Sequence, residues 1–445
     1  EQIGYHLEQA HRAVTDLGEV GVQTHELGER AGAHLAAAGR SAAARGDVRA
    51  AAGLLERASS LLPQGHAERA GVLADLHEAL FFAGEIERSE APVAELLATL
   101  EPGDDSVLAE RARLQQTMLR FLLDPGATPA DVLRKEVERS ARRFREAGDD
   151  GNLAAALANL ATIHWVEGNA EAMLDAAQRA LAYARSSGSR RAAAEAAPLI
   201  AYALHRGRVP LDEGLRRLEE TRAQLQDDRL AETLILLDEA MMLSAVGRAD
   251  DARAAADRAR QTSADLGQRR WLEMSKAIQA EIARREDHPD LAEGLLRSVH
   301  AFFLDQGDTN NALQIAYALA DVLCDLGRFE EADLLVSEVA REAPPDDLEV
   351  QVSWRSVRAR TRIAGGDPAG AVRFAQEAAA IADSTDFVLL QAEAHRWLAE
   401  ALAGAGRVDD AIDSLGTAVE RYEAKRASVP AAAARKRLTS LRPGG

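Results

Sequence analysis

Few residues in this chain are of a type and spacing that could do chemistry. A nucleophile would have to be Cys324, the single cysteine, inside Val322-Leu323-Cys324-Asp325-Leu326. Apolar neighbours and an adjacent carboxylate raise a thiol pKa, so the position reads as core filler rather than a reactive thiolate. Zinc would need clustered Cys and His, whereas the eleven histidines are scattered and His-Glu-x-x-His is absent. His6 and His11 lie five residues apart, which on a helix points them about 140° away from each other. No Gly-Lys pair occurs, so there is no phosphate-cradling loop.

Two charged patterns resemble chemistry and have plainer explanations. Asp250-Asp251, Glu330-Glu331 and Asp409-Asp410 each follow a glycine closely. Paired carboxylates suit general acid–base work, but negative charge at a helix start complements the helix dipole, so they read as capping residues. The basic stretch from Lys425-Arg426 through Arg435-Lys436-Arg437 to Arg442 lacks interleaved aromatics. It reads as a solvated capping helix with a frayed end rather than a nucleic-acid surface.

The elements that would position a site are helices. Hydrophobic residues make up 47% of the 445 residues but aromatics only 4%, so the core must be built from Ala, Leu and Val. Such a composition favours closely approaching helices over sheets and predicts an all-α chain. The net charge of −19 repels phosphate backbones. One cysteine excludes internal disulfides and fits a reducing cytosol. No apolar run approaches the roughly 20 residues of a membrane span, and no signal-peptide layout opens the chain. A cytoplasmic piece of a longer chain, beginning at Glu1, is the expectation.

Turn glycines recur at Gly46, Gly84, Gly126, Gly168, Gly207, Gly247, Gly327, Gly366 and Gly406, with gaps of 38, 42, 42, 39, 40, 80, 39 and 40. The double gap is filled at Asp287, where a turn without glycine is expected. Ten turns near a period of forty divide the chain into helical hairpins. Glycine suits these turns because a helix often ends on a left-handed residue, which penalises any Cβ. Small residues keep step with them: Ala161, Ala240, Ala280, Ala320, Ala359 and Ala399 lie seven before, and Ala252, Ala332, Ala371 and Ala411 five after. Each sits where one helix must lie close to its neighbour.

Gly327-Arg-Phe-Glu-Glu-Ala332 and Gly406-Arg-Val-Asp-Asp-Ala411, each with its small residue seven earlier, resemble tetratricopeptide repeats. The resemblance covers roughly 23–437 and is degenerate around 84–130, where His77 and Leu119 take the small-residue position. A second, local resemblance lies in Ile3-Gly4-Tyr5-His6-Leu7-Glu8-Gln9-Ala10, Leu35 to Ala58, and the closing Tyr422-Glu423-Ala424-Lys425. These are similar to the junction after the winged-helix module of large bacterial signal-transduction ATPases of the STAND type. That family joins an ATPase to a nucleotide cyclase, an activator domain or a LuxR-type helix-turn-helix, and uses the repeats as a sensor and oligomerisation arm. None of those modules is in this sequence.

The resemblance implies a superhelix whose first helices line the concave side. Counting 13, 10, 6, 3 and 2 residues back from the turns names groove positions. They include Thr162 and Trp165, Leu204 and His205, Leu234, Leu237 and Met241, Met274, and Gln314 and Tyr317, with Glu281, Arg284, Arg285, Asp321 and Asp325 as a charged wall. Asn159 matches the family's Asn-Leu-Gly helix and would clamp a peptide backbone or bond its own neighbours. A small, apolar groove would take an apolar helix, a peptide or a small effector. In a tightly wound superhelix the same residues would pack against other repeats instead.

The expected organisation is a leading helix and junction at 1–22, a repeat array at 23–420 and a capping helix with tail at 421–445. The expected role is a non-catalytic sensor and interaction arm that needs no cofactor or metal. Its partner would be a protein, a peptide or a small effector, and it would act on an attached ATPase. A constitutive scaffold for self-association is the alternative.

Overall fold

The computed structural model describes residues 1–18, 21–101, 103–124, 127–225 and 228–442. Gly126 and the last three residues of the tail lie outside them. Every regular element among the described residues is a helix. In chain order they are α1 (Gln2–Asp16), α2 (Val22–Ala44), α3 (Val48–Leu61), α4 (Arg69–Phe82), α5 (Ile86–Ala98), α6 (Val107–Leu123) and α7 (Ala130–Glu146). Then come α8 (Asp150–Val166), α9 (Ala170–Ser187), α10 (Arg190–Arg206), α11 (Leu211–Ala223), α12 (Arg229–Ala245), α13 (Ala249–Asp265), α14 (Arg269–Arg285) and α15 (Pro289–Asp305). The series closes with α16 (Thr309–Asp325), α17 (Phe329–Glu342), α18 (Leu348–Ala364), α19 (Pro368–Asp383), α20 (Val388–Gly404), α21 (Val408–Ala424) and α22 (Ser428–Leu441).

From α2 to α21 these form ten hairpins, with α1 ahead of them and α22 behind. Each helix packs on its chain neighbours, and most successive even-numbered helices also touch. This is a tetratricopeptide-like helical repeat fold.

The starts and stops have local causes. Asp47, Ser106, Asp149, Asn169, Ser189, Asp228, Asp308, Asp347 and Asp367 each accept a hydrogen bond from a first-turn backbone N–H. The acid pairs at 250–251, 330–331 and 409–410 do not cap in that way. Their N-cap residues are Arg248, Arg328 and Arg407, and each arginine pairs with the second acid, Asp251, Glu331 or Asp410.

Most turn glycines sit at positive φ, from 66° at Gly168 to 87° at Gly247. Asp287 takes the same left-handed conformation at φ 65°, which Asp tolerates better than most residues. Gly207 differs, with φ −74° and ψ −163°. Glycine is required there by crowding, because a Cβ would lie 2.6 Å from that of Ala170. Left-handed glycines also join one hairpin to the next, at Gly148, Gly188, Gly267 and Gly307.

The small residues beside the turns are buried completely: Ala161, Ala240, Ala280, Ala320 and Ala399 before them and Ala252, Ala332, Ala371 and Ala411 after are 0% exposed. At Gly39 a Cβ would stand 2.7 Å from Leu55 Cγ, so that helix pair closes only on glycine. A buried methyl contributes roughly 0.8 kcal/mol, so stability here rests on many small contacts. His77, in the small-residue position of its repeat, is buried and its Nδ1 lies 2.9 Å from the Ser89 carbonyl.

The array is wound tightly enough for successive turns of the superhelix to touch. Ala130 N donates to Asp346 Oδ2 at 2.9 Å, Ala170 N donates to Asp386, and Lys425 Nζ donates to the Val209 carbonyl at 2.5 Å, each pair 216 residues apart. The constant spacing, between five and six repeat lengths, is the length of one superhelical turn. An ordinary solenoid repeat touches only its neighbours. Here the second turn stacks on the first.

Lys425 shows what this winding does to a residue. As part of the basic stretch it reads as solvated, but it is 0% exposed and its ammonium donates to the carbonyls of Leu204, Gly207 and Val209. Leu211 N in turn donates to the Lys425 carbonyl at 2.9 Å. Elsewhere in that stretch Arg426 pairs with Asp212, Arg435 with Glu423 and Arg437 with Glu400, while Lys436 and Arg442 are exposed.

Candidate functional site

The even-numbered helices from α10 to α22 turn one face toward the superhelix axis. Because α22 meets α12 and α20 meets α10, this last turn closes on itself around a cavity of about 460 Å³. That volume falls in the range of small-ligand pockets. The wall carries Met241 and Ala245 from α12, Glu281, Arg284 and Arg285 from α14, and Tyr317, Asp321 and Asp325 from α16. Across from them stand Glu349, Ser353, Glu393, Arg396, Trp397 and Tyr422.

Most of this charge is internally satisfied. Arg284 and Arg360 both pair with Asp321 and Asp325. Burial alone would raise the Asp321 pKa, but the two guanidiniums hold it far below the usual carboxylate range. Arg285 binds Glu281 at 3.1 Å and reaches the Met241 carbonyl at 3.3 Å. Glu349 takes Arg206 at 2.9 Å, the Trp165 indole at 3.0 Å and the Tyr202 hydroxyl.

Two groups stand outside this network. Glu393 has no cation within ion-pairing distance among the described residues, and burial pushes its pKa up. Arg396, one helical turn further along α20, has no carboxylate at that distance; its guanidinium lies 3.9 Å from the Trp397 ring centre. Tyr422 is pushed up to about 12 by burial, so it faces the cavity as a neutral phenol. The site therefore offers an anion and a cation that form no direct ion pair among the described residues, the Arg396 side chain being hydrogen-bonded to Tyr422.

The residues named from sequence have different fates. Met241 and Tyr317 line the cavity, as does the charged wall of Glu281, Arg284, Arg285, Asp321 and Asp325. Leu204, Leu234 and Leu237 are buried in the helix–helix core, and Met274 packs against that core. Trp165 and His205 are structural links: Trp165 bonds Glu349 and meets Tyr202 edge-on, while His205 Nδ1 lies 3.0 Å from Asp238. Burial drives the His205 pKa well below its ordinary value and raises Asp238 to about 7. Asn159 and Thr162 sit on α8 away from the cavity, Thr162 donating to the Ala158 carbonyl at 3.2 Å. The buried Gln314 Nε2 finds no partner among the described residues.

Sequence reasoning missed Glu393, Arg396 and Trp397. The signal was present: the offsets 13 and 10, counted back from Gly406, fall on Glu393 and Arg396. Cys324 is buried, and that burial pushes its thiol up to about 12. Among the described residues no three His, Cys, Asp or Glu side chains gather in a way that would hold a metal. No helix among the described residues is long and apolar enough to cross a membrane.

No family model matches the sequence, and no curated protein aligns with it significantly. Solved structures similar in fold include a Rap protein complexed with competence and sporulation factor, at 15% identity and TM-score 0.46, covering 84% of this chain and 99% of that one. The Cut9-Hcn1 hetero-tetramer of the APC/C is similar at 12% identity and TM-score 0.46, over 99% and 94% of the two chains. The human IFIT1 dimer with m7Gppp-AAAA is similar at 11% identity and TM-score 0.47, over 91% and 88%. At such identities the likeness concerns the fold alone.

Proposed function

We propose that the chain is a non-catalytic interaction and sensor module whose axial cavity takes a short peptide or a free chain end. The observation that supports this most is that Glu393 and Arg396 form no ion pair among the described residues, in a cavity where the other charges are ion-paired. Both side chains are half-buried, and a charge partly withdrawn from water gains from a counter-charge. Two of opposite sign, one helical turn apart, complement a zwitterion: Glu393 accepts an ammonium, Arg396 donates to a carboxylate, and Trp397 and Tyr422 cover the apolar part.

Such a ligand would bridge helices from α12 to α22 and so stabilise the closed turn over an opened one. Binding would then shift the conformation seen by a module joined to the array. The attached module we propose is an ATPase of the STAND type, controlling transcription or cyclic-nucleotide synthesis, on the strength of the junction-like residues 3–10 and 35–58. Equilibrium dialysis against a random tetrapeptide mixture with free termini, read by mass spectrometry, tests the binding. Enrichment that disappears in Arg396→Ala and Glu393→Gln supports it; equal retention by the variants, or none by the parent protein, contradicts it.

A second reading, a scaffold for self-association, draws on the N-terminal hairpin. Ile3, Tyr5, Leu17 and Val22 are 62%, 50%, 79% and 75% exposed there, an apolar surface suited to a second copy. Sedimentation that shows a dimer indifferent to peptide would favour that reading.

A further inference from the structure

A second cavity lies in the first superhelical turn, away from the axial site. It is about 560 Å³, between the ends of α2 and α4 on one side and the starts of α10 and α12 on the other. Arg191 and Glu78 pair across it, so the two walls are tied together although 113 residues separate the partners. Leu55, Ala79, Phe82 and Leu230 give it an apolar floor.

The rim is cationic, in a chain of net charge −19. Arg40, Arg45, Arg190, Arg191 and Arg229 line it against only Asp75, Glu78 and Asp228. Those three acids are already engaged. Asp75 holds Arg40 and Arg111, Glu78 holds Arg111 and Arg191, and Asp228 accepts from Leu230 N and Ala231 N at the start of α12. Among the described residues the Arg45 guanidinium donates to the Ser41 hydroxyl at 2.6 Å and has no ion pair, and the exposed Arg190 has none either. Two guanidiniums thus stand over an apolar hollow without a counter-charge.

We infer that this cavity binds a small amphipathic anion, a carboxylate or phosphate monoester on an apolar body. The head meets Arg45 and Arg190 at the rim, where guanidiniums fit such groups by paired hydrogen bonds. The tail lies along Leu55, Phe82 and Leu230, and its burial drives the binding. A purely apolar ligand would leave the two arginines unanswered, and a bare anion would leave the floor wet.

Calorimetric titration with decanoate, decyl phosphate, decanol and inorganic phosphate tests the inference. Decanoate or decyl phosphate should bind, and decanol and inorganic phosphate should bind roughly tenfold more weakly or less, the scale of one charge-assisted hydrogen bond. Which head is preferred identifies the source as a free acid or a phosphorylated one. The Arg45→Glu/Arg190→Glu variant, altered only at exposed positions, should keep its helical circular dichroism and lose the preference for the anionic head. Arg396→Ala should leave it intact, which separates this site from the axial one. Equal binding of decanol and decanoate, unchanged binding in the double variant, or no binding of any probe overturns the inference.

Discussion

The indole Nε1 of Trp165 donates to Glu349 Oε2 at 3.0 Å, across 184 residues of chain. The same carboxylate takes Arg206 and Tyr202, so helices α8 and α10 of one superhelical turn are held to α18 of the next through a single buried group. Glu349→Ala strands a buried guanidinium, an indole N–H and a phenol together. Leaving a buried charge unpaired costs about 3–5 kcal/mol. Urea denaturation should show a loss of that order for Glu349→Ala and a smaller one for Glu349→Gln, which keeps an acceptor.

The glycines should rank by surroundings rather than by φ. Gly327, at φ 74° with open space around it, should cost roughly 1 kcal/mol when replaced by Ala. Gly168→Ala meets the same backbone strain and also drives a Cβ to within 2.5 Å of Thr385 Cγ2. Gly207→Ala has no positive φ but runs into Ala170. Thermal midpoints should therefore fall more for Gly168→Ala and Gly207→Ala than for Gly327→Ala.

Acid should loosen the N-terminal hairpins through His77. Burial lowers its pKa from 6.5 to about 4, so the folded chain keeps the ring neutral where the unfolded chain binds a proton. Its contribution is then fully present above pH 6.5 and lost as pH falls toward 4, by at most about 3 kcal/mol. Denaturation midpoints measured from pH 7 to 4 should fall less steeply for His77→Gln than for the parent chain.

Cys324 should be silent in the folded protein. With its thiol pushed up to about 12, Ellman's reagent at pH 8 should label it only after unfolding in urea. Rapid labelling without denaturant would mean that α16 is not packed as described.

The hairpins were legible because turn chemistry and small-residue spacing are local. A left-handed C-cap demands glycine, or Asp at 287, and a close helix crossing demands Ala. The site was legible only in part. The offsets reached Met241, Tyr317 and the charged wall from Glu281 to Asp325, but they cannot show that Trp165 faces a second layer of chain, because superhelical pitch is set by small rotations summed over several repeats. Lys425 is the sharpest case: nothing near it in sequence announces the three carbonyls it meets from 204–209.

The axial cavity exists only where α20–α22 close back on α10–α12, and Asp212 and Arg426 test that closure most directly. They form an ion pair 214 residues apart, beside the Leu211–Lys425 backbone bond. In a Cys324→Ser background, Asp212→Cys/Arg426→Cys should be joined within one molecule by a short bismaleimide, with the linked peptides identified by mass spectrometry. Efficient intramolecular linkage is the predicted result. Two freely labelled thiols that never cross-link would mean an open array with no enclosed site.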